Sequence, residues 1–178
     1  MNLPNSLTTL RILSIPVFTI CLLYDQLFSA LLIFVGAGVT DALDGLLARL
    51  YNQRTTLGAY LDPIADKLLL TTAFIGLAVL GIIPRWLTVV VIARDVIILL
   101  GILILILTSH KVEINPIFLS KATTVFQTLT VALALLTHYV PSISALLTYL
   151  IWATTLLTCF SGLQYMYIGS KYFNEKGG

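Results

Sequence analysis

Residues 41–66, DALDGLLARLYNQRTTLGAYLDPIAD, place four aspartates inside a very apolar sequence, and this stretch decides the fold. Asp41 and Asp44 are three residues apart, so they share one face of a helix. Asp62 and Asp66 are four residues apart and share one face of a second helix. A polar turn joins the two. The stretch therefore predicts a helical hairpin whose carboxylates point at one another.

Such a hairpin needs a cation. Clustered carboxylates in a medium of low dielectric constant repel one another unless positive charge lies among them. Hard oxygen ligands favour hard divalent ions, so we expect a pair of Mg²⁺ or Mn²⁺ ions. A purely structural role is the less favoured alternative, because carboxylates near hydrocarbon are costly. The predicted metal ligands are Asp41, Asp44, Asp62 and Asp66.

The composition is that of a membrane protein. Of 178 residues, 58% are hydrophobic and 10% are charged, whereas a soluble domain has roughly 25% charged residues. The mean hydropathy is +1.00. The net charge of +2 is too small to suggest nucleic acid as a partner. The expected environment is a lipid bilayer.

Apolar stretches of sufficient length occur six times, given that a helix needs about 20 residues to cross the hydrocarbon core. They are residues 5–24, 27–49, 58–80, 86–108, 117–138 and 142–168. The connectors are too short for a separate soluble domain. We expect an all-α integral membrane protein with six transmembrane helices in one bundle, formed by residues 1–170 and followed by a cytoplasmic tail, 171–178.

Basic residues in the connectors predict the orientation. On one side they are Arg49, Arg54, Lys111, Lys171 and Lys176. The opposite connectors carry only Arg85. We therefore expect a multi-pass protein of a bacterial-type cell membrane, with both termini and the mouth of the aspartate hairpin on the cytoplasmic side, where nucleotide and metal can reach it.

Residues beside the hairpin could hold a phosphate-bearing ligand. Gly45 and Ala48 leave space next to the carboxylates, and Arg49 supplies a forked donor for phosphate. In the first helix, Thr8 and Arg11 could lie near a phosphate at the membrane surface. Alternatively, Arg11 extends to the interface without binding a ligand. Both interpretations stay open.

Charged residues also occur within the fourth and fifth stretches. Arg94 and Asp95 lie far from either end of theirs. Adjacent residues do not face each other on a helix, so we do not expect a simple mutual ion pair. Both residues need partners in the bundle interior or in a wet cavity. Lys121 either extends to the interface or binds an anionic acceptor.

The hairpin pattern, D-x2-D-G-x2-A-R-x8-G-x3-D-x3-D, resembles the motif of the CDP-alcohol phosphatidyltransferase family with every spacing kept. The similarity extends from the opening NLPNSLTTLR through the Ala-Arg-Asp of the fourth stretch to the Ser-Lys of the fifth. The resemblance implies a six-helix enzyme that displaces CMP from a CDP-linked lipid with an alcohol. The matching positions are Asp41, Asp44, Gly45, Ala48, Arg49, Gly58, Asp62 and Asp66.

The resemblance also implies a role for each of these residues. One metal ion would bind Asp41, Asp44 and Asp62, and the other Asp41, Asp62 and Asp66. Asp66 also matches the proposed general base, which takes the proton from the attacking hydroxyl. A homodimer is implied as well. Together with the residues considered above, the expected contacts of the CDP-lipid are Thr8, Gly45, Ala48, Arg49, Thr55 and Gly58.

Two branches of the family differ in their acceptor. Phosphatidylglycerophosphate synthases use glycerol 3-phosphate and tend to show A-R-E in helix four and K-x-K-T in helix five. Mitochondrial-type cardiolipin synthases use phosphatidylglycerol, whose phosphate is a singly charged diester. This chain has A-R-D at residues 93–95 and K-A-T-T at residues 121–124. We favour phosphatidylglycerol, with glycerol 3-phosphate as the alternative, and expect Arg94 and Lys121 to bind the acceptor.

An ion-coupled transporter or channel is the alternative from another class, since intramembrane carboxylates also mark ion pathways. Transporters usually have two related halves. Here the charged cluster occurs once, near one membrane face. The enzyme is therefore the favoured hypothesis.

Overall fold

Six α-helices account for most of the described chain. A computed structural model describes the backbone of residues 3–51, 56–107 and 118–174, and the side chains of residues 9–41, 64–101 and 118–168. These ranges contain no strand, so the all-α prediction is confirmed. Each helix overlaps one predicted apolar stretch. The helices are α1 (Leu3–Leu23), α2 (Leu27–Tyr51), α3 (Thr56–Val79), α4 (Arg85–Leu107), α5 (Phe118–Thr137) and α6 (Ser144–Asn174), and a 3-10 turn, Pro141–Ile143, precedes α6.

Two short turns end α1 and α3 through left-handed residues. Asp25 follows α1 with φ of 56°, a conformation that aspartate tolerates better than most residues. Gly81 follows α3 with φ of 73°, and beyond it the Ile82 amide donates to the Leu77 carbonyl at 3.0 Å. Pro84 then precedes the first turn of α4. The first of these turns connects α1 to α2, which pack against each other.

The chain divides into two compact units, and the first comprises Met1–Ile83 and Val131–Ser144. Here α1 packs against both α2 and α3. The rings of Phe18 and Phe34 lie 6.0 Å apart between centroids, and both side chains are buried. Gly76 on α3 lets the two backbones approach, since a Cβ there would collide with Leu22 of α1.

The second unit comprises Pro84–Thr130 and Ala145–Gly178. A buried polar seam, formed by Thr123, Gln127, Thr130, Thr154 and Thr158, joins α5 to α6. The hydroxyls of Thr130 and Thr154 lie 2.8 Å apart, and Gln127 Nε2 donates to Thr158 at 3.5 Å. Thr123 Oγ1 donates to the Leu157 carbonyl at 3.3 Å. Hydrogen bonds therefore link these two helices.

Among the residues that the structure describes, two segments have the length and composition of a membrane span, Phe118–Thr137 and Pro141–Ile168, with mean hydropathies of 1.4 and 1.7. The described parts of α1 and α2, Thr9–Leu23 and Leu27–Asp41, are apolar but shorter. The predicted number of six spans and their arrangement in one bundle stay predictions.

Candidate functional site

Three helices of the first unit bring Arg11, Asp41 and Asp66 together. Arg11 Nη2 lies 2.8 Å from Asp41 Oδ1, and Arg11 Nη1 lies 3.1 Å from Asp66 Oδ1. One guanidinium on α1 therefore bridges a carboxylate of α2 and a carboxylate of α3. The Arg11 side chain is 1% exposed, whereas each aspartate side chain is 39% exposed. The carboxylates are open to a ligand, and the cation lies beneath them.

The helical period explains why these three residues meet. Arg11 precedes the buried Phe18 by seven residues, and Asp41 follows the buried Phe34 by seven, so each charged residue continues the buried face of its helix. Asp66 stands seven residues before the buried Ala73 on α3. The two ion pairs place these positions of α1, α2 and α3 together within the first unit.

Arg11 has ion-pair distances but poor hydrogen-bond geometry. Its Nε, Nη1 and Nη2 atoms are buried and make no hydrogen bond of acceptable angle, although two of them lie within 3.1 Å of a carboxylate oxygen. Buried guanidinium groups usually satisfy their N–H donors. The two ion pairs hold Arg11 at the two aspartates.

The other predicted site residues lie outside the residues whose side chains are described: Thr8, Asp44, Gly45, Ala48, Arg49, Thr55, Gly58 and Asp62. Within the described part of the chain, no three His, Cys, Asp or Glu side chains come together as metal ligands. Asp41 and Asp66 nevertheless fit a hard divalent cation, because two carboxylates of different helices already share one cation and are partly exposed. The four-aspartate metal site stays a prediction.

Arg94 lies in a separate buried cluster within the second unit. Its Nη1 is 2.7 Å from Asp95 Oδ1, and its Nη2 donates to Ser120 Oγ at 2.7 Å and to Ser161 Oγ at 2.9 Å. Arg94 and Asp95 therefore do form an ion pair, which the helical spacing did not predict, whereas the expectation that Arg94 has further partners in the interior is confirmed by Ser120 and Ser161. Their Cβ atoms do diverge, but the long arginine side chain reaches back to the neighbouring carboxylate. The cluster connects α4, α5 and α6.

Lys121 follows Ser120 on α5 and is exposed. Arg94 is 5% exposed, and one of its neighbours already neutralises its charge. Of the two residues expected to bind the acceptor, Lys121 is thus the accessible one and Arg94 is engaged within the protein.

The family model for CDP-alcohol phosphatidyltransferases matches residues 1–160, which include Arg11, Asp41, Asp66, Arg94 and Lys121. This chain belongs to the CDP-alcohol phosphatidyltransferase family. The resemblance inferred from the aspartate motif is confirmed. The family is one of membrane-associated enzymes, in agreement with the apolar helices described above.

Relatives within the CDP-alcohol phosphatidyltransferase family carry two kinds of name. A probable phosphatidylglycerophosphate synthase of Mycobacterium tuberculosis is 42% identical over 121 residues, which cover 65% of this chain and 56% of that protein. A human cardiolipin synthase (CMP-forming) is 31% identical over 187 residues, covering 96% of this chain and 62% of the relative. The CDP-diacylglycerol–glycerol-3-phosphate 3-phosphatidyltransferase of Bacillus subtilis is 33% identical over 182 residues, covering 92% and 93%. The chain thus spans less than two thirds of the first two relatives.

The sequence allowed two roles for Arg11, and neither of them placed this residue at the metal site. The alternative in which Arg11 extends to the membrane interface is wrong, because its side chain is buried against Asp41 and Asp66. The spacing of Arg11 from Phe18 was the available indication, since it places the arginine on the buried face of α1.

Proposed function

We propose that this protein transfers the phosphatidyl group of CDP-diacylglycerol to an alcohol and releases CMP. The observation that carries the proposal is the meeting of Asp41 and Asp66 at the end of the first unit, in a chain of this family. The acceptor hydroxyl oxygen forms a bond to the phosphorus that bears the diacylglycerol. The bond from that phosphorus to the bridging oxygen breaks, and CMP leaves with this oxygen.

Asp66 is proposed as the base that receives the proton of the acceptor hydroxyl. The role requires an accessible carboxylate beside the reacting phosphate, and Asp66 is partly exposed. An Asp66→Asn variant should therefore lose CMP release by about 10²- to 10⁴-fold, the usual contribution of a positioned base. If this variant keeps full activity, Asp66 is not the base.

Asp41, Asp44, Asp62 and Asp66 are proposed to hold two divalent ions, Mg²⁺ or Mn²⁺. When bound, such ions would neutralise the diphosphate and stabilise the charge of the transition state. The proposed contacts of the CDP-lipid are Thr8, Gly45, Ala48, Arg49, Thr55 and Gly58. Arg49 would orient a phosphate through its forked donors.

For the acceptor we favour phosphatidylglycerol, which would make the protein a cardiolipin synthase. The names of the relatives support this acceptor and glycerol 3-phosphate about equally. The charges of the second unit favour phosphatidylglycerol. Asp95 pairs with Arg94, and Lys121 is an exposed cation next to this cluster. A singly charged diester needs fewer cations than a dianionic phosphate monoester. Lys121, with Arg94 behind it, would contact the acceptor phosphate.

The proposed architecture has six membrane-spanning helices, cytoplasmic termini, a cytoplasmic site mouth and a homodimeric assembly. Apolar side chains that are exposed along one face of a helix support a lipid-facing surface. On α1 these include Leu13, Val17 and Ile20, and on α6 Leu156 and Phe160, at helical spacings.

A transporter or channel is the second class of function, and the carboxylates are the feature it shares with the enzyme. The family match favours the enzyme. The two classes differ in a simple observation, because a transporter would move ions across vesicle membranes and would release no CMP.

The deciding experiment measures CMP release by the purified protein in detergent with CDP-diacylglycerol and Mg²⁺. Phosphatidylglycerol and glycerol 3-phosphate are supplied in separate reactions, and EDTA replaces the metal in a third. We expect release with phosphatidylglycerol and none with EDTA. Release with glycerol 3-phosphate alone would keep the reaction class and reverse the choice of acceptor. Absence of release with either acceptor would contradict both versions.

A further inference from the structure

The guanidinium of Arg11 is a buried cation at carboxylates proposed to bind metal ions. Its two terminal nitrogens lie 2.8 Å from Asp41 and 3.1 Å from Asp66. Arg11 is buried, while both aspartates are partly exposed. The positive charge is therefore poorly screened and acts mainly on these carboxylates.

A purely structural arginine would be expected to make well-directed hydrogen bonds with its five N–H groups. Arg94 comes close to this pattern, with three contacts from its terminal nitrogens. Arg11 does not, because its Nε, Nη1 and Nη2 make no hydrogen bond of acceptable geometry. Its position follows the charge of the site rather than a set of hydrogen bonds.

We propose that Arg11 is a positioning residue that substitutes for the divalent ions while the site is empty and opposes their binding. In the empty state it holds the carboxylates of α2 and α3 together and offsets their mutual repulsion. When an ion approaches the same carboxylates, the fixed positive charge repels it and at least one ion pair of Arg11 must weaken. The inference rests on the metal site of the proposed function.

Two consequences follow for a variant without this charge. Arg11→Met replaces the guanidinium with an apolar side chain and removes the positive charge between Asp41 and Asp66. The empty protein should therefore unfold at a lower temperature. Mn²⁺ should bind about tenfold more tightly, because the repulsion from a nearby positive charge is gone. Mn²⁺ should also restore most of the lost thermal stability.

The experiment uses the full chain in detergent, with Mn²⁺ as the probe. Bound Mn²⁺ is counted from the electron paramagnetic resonance of the free ion, and unfolding is followed by circular dichroism with and without Mn²⁺. Arg94→Met is the matched control, since it removes the other buried guanidinium of the described residues, one that contacts Asp95 rather than Asp41 or Asp66. It should lower the unfolding temperature equally with and without Mn²⁺ and leave Mn²⁺ affinity unchanged.

Two further variants keep the test decisive. Arg11→Gln is neutral and still polar, and it takes the place of Arg11→Met if that variant does not fold. Arg11→Lys keeps the charge but cannot bridge both carboxylates, so it should be less stable yet bind Mn²⁺ within about threefold of the original protein. If Arg11→Lys binds Mn²⁺ as tightly as the neutral variants do, the loss of positive charge is not the cause of the increased affinity.

The outcomes separate this inference from the function on which it rests. If the neutral variants lose the same stability with and without Mn²⁺ and bind Mn²⁺ no more tightly, Arg11 is only a structural link and the inference is wrong. Metal-dependent CMP release by the original protein would leave the proposed function intact in that case. If the original protein binds no Mn²⁺, the metal site and the role of Arg11 both fail.

Discussion

Replacing Arg94 with leucine should destabilise the second unit more than any substitution of a single neighbour of Arg94. The change removes an ion pair to Asp95, whose side chain is 16% exposed, and two hydrogen bonds, to Ser120 and Ser161. Removing one partner of a fully buried ion pair costs about 3–5 kcal/mol, and we expect the lower end of this range because Asp95 is partly exposed. Ser161→Ala removes only one hydrogen bond and should cost about 1 kcal/mol.

The assay is the free energy of unfolding in mixed detergent, measured by circular dichroism for the original protein and the two variants. The double variant Arg94→Leu/Asp95→Leu should recover part of the loss, since it removes both charges of the ion pair. A cost below about 1 kcal/mol for Arg94→Leu would contradict the reasoning. A double variant whose loss of unfolding free energy is at least the sum of the two single losses would also contradict it, because the two charges would then not be partners.

Three further predictions test the two units and the acceptor site. Gly76→Ala should lower the free energy of unfolding by about 1 kcal/mol, because the added methyl group would collide with the buried Leu22. Gly36→Ala, where the added methyl group meets no atom within 4 Å, should be neutral or stabilising. Equal effects of the two substitutions would argue against close packing of α1 on α3. Thr154→Val should cost about 0.6–1.7 kcal/mol in the same assay, and the cost should shrink in a Thr130→Val background, because the two hydroxyls are partners. Lys121→Met should raise the KM for the acceptor about tenfold at an unchanged unfolding temperature. Thr124→Val changes an exposed neighbour of Lys121 and should leave KM unchanged. An unchanged KM in Lys121→Met would show that Lys121 does not bind the acceptor.

The helices could be predicted from the sequence because each one is a long apolar run bounded by turn-forming or polar residues. Asp25 and Gly81 lie just after the ends of α1 and α3, and both residue types tolerate a positive φ. The meeting of Asp41 with Asp66 follows from the same reasoning. Both residues follow the period of the buried face of their helix, and both lie beside Arg11.

The partners of the buried arginines could not be predicted in this way. An arginine near a helix end has a long stem that can extend outward or fold inward, and the choice depends on what packs beside it. For Arg11, the choice was decided by carboxylates 30 and 55 residues away along the chain. For Arg94, reasoning from Cβ directions missed the reach of the side chain to Asp95. Tertiary packing supplies this information, and local periodicity does not.

The polar seam between α5 and α6 has a consequence for assembly. A leucine side chain packs about as favourably against lipid tails as against another leucine. An apolar interface in a bilayer therefore barely distinguishes a partner helix from lipid. The hydroxyl and amide groups of the seam do distinguish them, and their spacing along each helix determines how far one can slide past the other. A displacement by one helical turn, about 5.4 Å, would separate Thr130 from Thr154 and Gln127 from Thr158 at once. The seam thus sets the axial register of these two helices.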